Sequence, residues 1–149
     1  MKHRKIIFVC TGNTCRSPMA AAALKYELKR RKIAWYNVQS AGLAACEGLN
    51  MSPHSAQALT EAKIPFAQDF ASRLLTEKMI NEAYAVICMT EEQYVQIARY
   101  KNVTSMRMLA GRDIPDPYGY GIDVYRETLR MIRLCLPRVI EGLGMDKKE

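Results

Sequence analysis

The sequence predicts an α/β fold, namely a three-layer αβα sandwich with a four-stranded parallel sheet and helices on both faces. Two observations predict it. Short apolar runs alternate along the 149-residue chain with stretches of helical periodicity, and no linker, repeat or low-complexity tract divides the chain. Strands that alternate with helices form parallel sheets covered on both faces. We therefore expect a single domain over residues 1–149.

Four segments are predicted as strands, because each is short, apolar and rich in β-branched residues. The first covers residues 6–9 and follows a charged start to the chain. The others cover residues 35–39, 84–89 and 103–109. The first strand leads directly into Cys10, so this residue is expected at the carboxyl end of a strand.

The helices are predicted from their capping residues. Ser17 is expected as the N-cap of a first helix through residue 31, with Pro18 at the first helical position. Later helix starts are predicted at Ser52 with Pro53, at Thr76, and at Thr90. A last helix over residues 122–143 contains Pro137, which is expected to kink or interrupt it.

The composition is that of an ordinary globular domain, with 49% hydrophobic and 25% charged residues. The charged first residues lead straight into a strand, without the apolar region of a signal peptide. Five cysteines at irregular spacing argue against a disulfide framework and indicate a reducing compartment. We expect a cytoplasmic protein without a cofactor or metal.

The formal charge of +7 includes dense basic stretches at residues 2–5 and 29–32. Such a surface attracts either nucleic acid or an acidic, phosphorylated protein, and the charge alone does not choose between them. No nucleic-acid motif or basic stripe with interleaved aromatic residues accompanies the charge. Phosphorylated proteins are therefore the expected partners, with no nucleic acid or membrane, and the chain is expected to be a monomer.

The nine residues from Cys10 to Pro18, Cys-Thr-Gly-Asn-Thr-Cys-Arg-Ser-Pro, are the most informative stretch. A strand, a tight turn and a helix start direct backbone N–H groups and the positive end of a helix dipole at one point, which makes an anion site. A thiol there, beside the guanidinium of Arg16, is stabilised as a nucleophilic thiolate. Because arginine can bind two phosphate oxygens side by side, the pattern predicts attack on phosphorus.

Two other interpretations of this loop compete with the catalytic one. Cys10 could be an ordinary buried cysteine, or Cys10 and Cys15 could form half of a metal site. The remaining cysteines are isolated, and the loop lacks the glycines of the nucleotide-binding patterns. The catalytic interpretation is therefore favoured.

Attack on phosphorus also requires a group that protonates the leaving atom. Asp116 lies between Pro115 and Pro117, in a rigid turn after the last predicted strand, and is the preferred candidate. It could equally be a turn former, and Asp113 and Asp123 are nearby competitors.

Residues 9–18 together with Asp-Pro-Tyr-Gly at 116–119 resemble the low-molecular-weight protein tyrosine phosphatase family, which includes bacterial protein-arginine phosphatases. The resemblance extends over the whole chain, including Ser-Ala-Gly at 40–42. It implies that Cys10 forms a phosphocysteine intermediate, that Arg16 binds the phosphoryl group, and that Asp116 protonates the leaving atom and then activates water. It also implies that the phosphate is held by Thr11, Gly12, Asn13, Thr14, Cys15, Arg16 and Ser17.

The resemblance implies supporting roles as well. Ser17 would hydrogen-bond the Cys10 sulfur, and Asn13 would hold the strained loop with Ser40 packed behind it. Cys15 would form a reversible disulfide with Cys10, which would make the enzyme redox-sensitive. The chain departs from the family where many members brace the loop asparagine with a histidine, since Asp69 and Phe70 occupy that region.

The resemblance leaves two substrates, phosphotyrosine and phosphoarginine. Thr14 stands where tyrosine-specific members commonly carry a branched aliphatic residue and where arginine-specific members carry threonine. Gly119 replaces a second pocket aromatic, although Tyr118 and Tyr120 remain to flank a ring. Together these residues slightly favour phosphoarginine.

Two rival classes share the loop. An arsenate reductase would need further cysteines as a relay, for which Cys46 and Cys88 are the candidates. A non-catalytic phosphoprotein-binding module or phosphocysteine carrier would have no need of Asp116, so an acid at that position favours turnover.

Overall fold

The computed structural model describes residues 3–147 and contains a four-stranded, all-parallel sheet in the order β2-β1-β3-β4. The elements in chain order are β1 (Arg4–Cys10), α1 (Arg16–Arg30), β2 (Tyr36–Gly42), α2 (Pro53–Glu61), α3 (Glu77–Glu82), β3 (Ala85–Cys88), α4 (Glu91–Ile97), β4 (Val103–Ser105), α5 (Met106–Ala110) and α6 (Ile122–Gly142). The predicted fold class is confirmed. Lys2, in the first predicted basic stretch, lies outside the described residues.

The core lies on both faces of the sheet, because successive side chains of a strand point to opposite faces. Ile6 and Phe8 of the central strand β1 pack with α1, α2, α5 and α6. Ile7 and Val9 pack on the other face with α3 and α4. Among the described residues, no helix is both long enough and apolar enough to cross a bilayer.

The first helix begins earlier than the sequence predicts. Its N-cap is Cys15, without a side-chain capping bond, and Ser17 lies inside the helix. The prediction of Ser17 as the N-cap was wrong, because its hydroxyl contacts the Cys10 sulfur instead of a backbone N–H group. The predicted caps Ser52, Thr76 and Thr90 are confirmed by their side-chain bonds to backbone N–H groups.

The predicted strand over residues 103–109 is a strand only as far as Ser105. The Ser105 hydroxyl accepts a hydrogen bond from the N–H of Met108, and this starts the short helix α5. Gly111, with φ of 84°, ends the helix in a left-handed conformation. A side-chain cap therefore overrides the strand preference of this apolar segment.

Helix α6 continues through Pro137, so the expected interruption does not occur. Pro137 is exposed, whereas Leu136, Val139 and Ile140 beside it are buried in the core. The missing backbone bond therefore faces solvent, and the buried neighbours keep the helix in place on the sheet.

Candidate active site

The phosphate loop, residues 11–15, connects the end of β1 to the start of α1. Parallel pairing places Cys10 beside Gly42 at the carboxyl end of the sheet. The carbonyl groups of Cys10 and Thr11 accept hydrogen bonds from the N–H groups of Leu43 and Ala44, at 2.9 and 3.0 Å. The backbone of the segment after β2 therefore positions the loop, at the sheet edge where ligands bind in such folds.

Gly42 is required at this edge because nothing larger fits. A Cβ atom at this position would lie 2.6 Å from the Thr11 carbonyl oxygen and 3.1 Å from the Asn13 Cβ. The first of these distances is shorter than van der Waals contact with a backbone atom. The glycine therefore permits the close approach of β2 to the phosphate loop.

We expect the substitution Gly42→Ala to destabilise the protein by about 1–3 kcal/mol, the usual cost of overpacking, and to lower turnover by displacing the loop. Urea unfolding and turnover of p-nitrophenyl phosphate measure the two effects. Gly121→Ala is the control, because a Cβ at Gly121 would have no neighbour within 4 Å. Equal stability of the two variants would contradict the steric role of Gly42.

The Cys10 thiol is buried and surrounded by hydrogen-bond donors. Its sulfur lies 2.9 Å from the Ser17 Oγ and accepts a hydrogen bond from the Asn13 N–H at 3.3 Å. It also lies at the N-terminal end of α1, where the helix dipole favours negative charge. The thiolate is the form of cysteine that acts as a nucleophile, and the Ser17 hydroxyl and the Asn13 N–H are the groups that would hydrogen-bond it.

Asn13 holds the loop in a left-handed conformation, with φ of 58°. Its side chain is fully buried, and its Nδ2 donates hydrogen bonds to the Ser17 and Ser40 hydroxyls, each at 2.9 Å. Its Oδ1 accepts a hydrogen bond from the backbone N–H of Arg73 at 2.9 Å. These three bonds maintain a conformation that is unfavourable for a residue with a side chain.

The Arg73 N–H therefore braces Asn13, where the family resemblance implied a histidine. Sequence reasoning left this bracing open, because any residue type can donate a backbone N–H group. The bond depends on a short bridge that pairs Leu74 with the end of β2 at Gly42. No pattern of residue types at positions 64–75 could have predicted it.

The Arg16 side chain is buried and held in one orientation. Its Nη1 donates a hydrogen bond to the Ile114 carbonyl at 3.1 Å, and Nη2 lies 3.8 Å from the Asp116 Oδ2. Ile114 is itself fully buried, and its N–H donates to the Met89 carbonyl just after β3. The segment that carries the predicted acid is thereby attached both to the sheet and to Arg16.

Among the three candidate acids, Asp116 is the one placed against Arg16. The side chain of Asp116 is 56% exposed, and its Oδ1 accepts a hydrogen bond from the Tyr118 N–H at 3.0 Å. Asp113 instead binds Arg107, whose guanidinium holds the pKa of this carboxyl below its usual value. Asp123 is paired with Arg126. Asp116 is therefore the one of the three that lies against Arg16, whereas Asp113 and Asp123 pair with other arginines.

The predicted pocket residues are open to solvent. Thr14 is half-buried, and its carbonyl accepts a hydrogen bond from the Ser52 N–H at 2.9 Å, which connects the loop to the start of α2. Tyr118 and Tyr120 are 77% and 63% exposed. The two rings thus stand at the surface near the acid and leave the phosphate loop accessible.

Cys15 has a neighbour that sequence reasoning did not assign to the site. Its sulfur lies 3.4 Å from the Tyr125 hydroxyl, and the buried Tyr125 ring packs edge-on against His54, with centroids 5.0 Å apart. Burial raises the pKa of Tyr125, and the contact with Cys15 acts in the same direction. Tyr125 fits the apolar spacing of α6, so the sequence indicates a core residue and gives no sign of its hydroxyl contact.

The two cysteines considered for a thiol relay differ in accessibility. Cys88 is fully buried in β3, and burial raises the pKa of its thiol to about 12. Cys46 is exposed, in the segment between β2 and α2. Cys88 is therefore unsuited to a relay, because a relay requires an accessible thiolate.

Comparison with known proteins places this arrangement among related chains. A family model described as low molecular weight phosphotyrosine protein phosphatase matches residues 5–149. The chain is 37% identical to a protein-arginine-phosphatase of Bacillus subtilis, covering 96% of this chain and 99% of that protein. It is 31% identical to the low molecular weight protein-tyrosine-phosphatase PtpB of Staphylococcus haemolyticus, covering 86% and 91%.

Solved structures agree with these sequence matches. A mutant of the YwlE arginine phosphatase, with a phosphorylated active-site serine, superposes with a TM-score of 0.84 at 36% identity, covering 94% of this chain and 95% of that one. A low molecular weight protein tyrosine phosphatase from T. tengcongensis superposes with a TM-score of 0.86 at 28% identity, covering 93% and 99%.

Proposed function

Because the chain belongs to the low molecular weight phosphotyrosine protein phosphatase family, we propose that Cys10, Arg16 and Asp116 perform its chemistry and that phosphoarginine is its preferred substrate residue. The chain is a cysteine-dependent phosphoprotein phosphatase that acts on phosphotyrosine or phosphoarginine through a phosphocysteine intermediate. The residue roles and the preference are what we propose here.

In the first step, the Cys10 thiolate attacks phosphorus, and the bond from phosphorus to the leaving oxygen or nitrogen breaks. Asp116 gives its proton to the leaving atom. Arg16 and the N-terminal end of α1 stabilise the charge on the phosphoryl oxygens. The first product is the dephosphorylated side chain, and the phosphoryl group stays on the Cys10 sulfur.

In the second step, water attacks the phosphocysteine and inorganic phosphate leaves. Asp116, now ionised, accepts a proton from this water and is restored to its acid form. The Cys10 sulfur leaves as a thiolate, which the Ser17 hydroxyl and the Asn13 N–H stabilise. Both steps use the same groups, so no further cofactor enters the cycle.

One observation carries this assignment. The Cys10 sulfur lies in a nest of donors at the start of α1, and the 3.8 Å contact between Arg16 and Asp116 joins the phosphate-binding group to an acid. A module that only binds phosphoproteins would need the loop and Arg16, but no acid beside them. The acid beside the arginine is what supports turnover rather than binding alone.

Three observations support phosphoarginine as the preferred substrate. Thr14 supplies a hydroxyl for a polar guanidinium, whereas an aliphatic side chain would favour a phenyl ring. The open walls around Tyr118 and Tyr120 offer a phenyl ring little stacking surface in this conformation. The identity to the Bacillus subtilis protein-arginine-phosphatase, 37%, also exceeds the 31% to the tyrosine phosphatase PtpB.

The substitution Thr14→Ile tests the preference. We expect the wild type to have a higher kcat/KM for phosphoarginine peptides than for phosphotyrosine peptides. The variant should shift the ratio of the two toward phosphotyrosine by about 10- to 100-fold, the range over which one pocket group discriminates. Thr104→Ile, in β4, is the control and should keep the wild-type ratio. An unchanged ratio in Thr14→Ile would refute the role of Thr14.

We also propose that Cys10 and Cys15 form a reversible disulfide. Peroxide would oxidise the Cys10 thiolate to a sulfenic acid, and the Cys15 sulfur would then displace water from it to form the S–S bond. Both thiols are free and buried, Cys10 at the end of β1 and Cys15 at the end of the phosphate loop. We expect activity to return with a thiol reductant after peroxide treatment. Peptide mapping of the oxidised protein checks the linkage, and its absence would exclude this pair.

A further inference from the structure

Two surface grooves adjoin on the side of α1 that faces β2, because they share two lining residues. The first, of about 250 Å³, lies between α1, the residues of β2 at 37–40 and the segment 65–73. The second, of about 410 Å³, lies beside the last turns of α1 and the start of β2. Lys25 and Val38 line both grooves. We call the joined feature the α1 trough; it extends from Lys32 at one end to Arg73 at the other.

The walls of the α1 trough carry cations and no acid. Three lysines lie on one stripe of α1, because they are spaced by four and three residues: Lys25, Lys29 and Lys32. Arg73 adds a cation at the other end. No aspartate or glutamate lines either groove.

These lysines are also left without intramolecular partners. Among residues 3–147, none of the three forms an ion pair with a carboxylate. Glu27, the acidic residue of α1, binds Arg30 and Arg31 instead. In the groove between α2 and α6, by contrast, Glu61 neutralises Arg126. The α1 trough therefore has positive charge that nothing within the described chain compensates.

The floor of the trough is apolar. Leu28, Ile33, Tyr36 and Val38 line its lower part, and Met51, Phe66 and Phe70 line its upper part. An occupant that matches this surface has apolar side chains for the floor and acidic side chains for the rim.

We propose that the α1 trough binds an acidic, partly apolar segment of the phosphoprotein substrate, away from the phosphorylated residue. This inference rests on the proposed function. The upper end of the trough adjoins the phosphate loop, because the N–H of Arg73 donates to Asn13 within the loop. In this proposal, a substrate held at Cys10 continues from the loop along the trough.

The fold sets the distance between the two contacts. Lys25, the first of the three lysines, lies nine positions after Arg16 on a continuous helix, which corresponds to about 14 Å along α1 at 1.5 Å per residue. An extended peptide covers this distance in about four residues at 3.3 Å per residue. The acidic segment is therefore expected to begin about four residues from the phosphorylated position.

The test uses two peptides of equal length with the phosphoresidue that the wild type turns over faster. One carries alternating glutamate and leucine from the fourth residue after the phosphorylated position onward, and the other has serine in place of each glutamate. Binding to full-length protein with Cys10→Ser is measured by fluorescence anisotropy. We expect the acidic peptide to bind about tenfold tighter at low salt, and the difference to shrink as salt is added.

Charge reversal then locates the effect. We expect K25E/K29E/K32E, added to Cys10→Ser, to remove the preference for the acidic peptide. The control K78E/K101E/K147E changes the net charge by the same amount, at exposed lysines that line neither groove. This control should retain the preference for the acidic peptide. Both triple variants are checked for folding by thermal unfolding, and K25E/K29E/K32E with Cys10 intact should hydrolyse p-nitrophenyl phosphate at the wild-type rate.

Three results would overturn the proposal: equal binding of the two peptides, an equal loss in both triple variants, or tight binding of a single-stranded oligonucleotide that only K25E/K29E/K32E abolishes. The last result would identify nucleic acid as the occupant. Failure of the wild type to hydrolyse p-nitrophenyl phosphate would instead refute the proposed function. The binding assay with Cys10→Ser does not depend on turnover, so the two failures are distinguishable.

Discussion

Replacing Cys10 by serine is expected to abolish turnover of phosphorylated peptides, with a fall in kcat of about 10⁴-fold or more, as is typical when a covalent nucleophile is removed. A serine hydroxyl is not ionised at neutral pH, so the donors that surround the Cys10 sulfur would have no anion to stabilise. The remaining loop, with Arg16 in place, should still bind phosphate. Release of inorganic phosphate measures turnover, and anisotropy of a labelled phosphopeptide measures binding.

The exposed Cys46 supplies a matched control for this substitution. Cys46→Ser makes the same atomic change outside the phosphate loop and should keep wild-type turnover. If Cys10→Ser retained more than a few per cent of wild-type activity, Cys10 could not be the nucleophile. If Cys46→Ser alone abolished arsenate-dependent thiol oxidation, the reductase alternative would be supported instead.

Substituting Asp116 by asparagine is expected to lower kcat for phosphoarginine and phosphotyrosine substrates by about 10²- to 10⁴-fold, the usual contribution of a general acid. The asparagine keeps the shape of the side chain and the acceptor for the Tyr118 N–H, but it has no proton to give. With p-nitrophenyl phosphate, the rate of the first step should fall less than with these substrates, because p-nitrophenolate leaves without protonation. Single-turnover rates for good and poor leaving groups measure the difference.

A second carboxylate supplies the control for this substitution. Asp123→Asn removes an exposed carboxylate in the first turn of α6 and should keep wild-type turnover. Undiminished turnover of a poor leaving group by Asp116→Asn would reject Asp116 as the acid.

Local patterns account for the parts of the fold that the sequence predicted correctly. The β-branched run before Cys10 is a strand because its side chains pack on both faces of the sheet. The helix starts at Ser52, Thr76 and Thr90 depend on one hydroxyl and a backbone N–H three residues later. The error at Ser17 occurred because its hydroxyl contacts the Cys10 sulfur instead of capping the helix, and the error after Ser105 occurred because a local cap started a helix within an apolar segment.

The sequence by itself determined the fold class and the phosphate loop as a candidate nucleophilic site, because strand, turn, cysteine and arginine lie within a few consecutive residues. Only the tertiary structure decided which of three aspartates meets Arg16, what braces Asn13, and what contacts Cys15. These contacts join residues 60 to 110 positions apart, and one of them uses a backbone N–H that any residue could supply. The physical reason is that residue type governs what a side chain can bind, whereas the packing of distant segments governs what it meets.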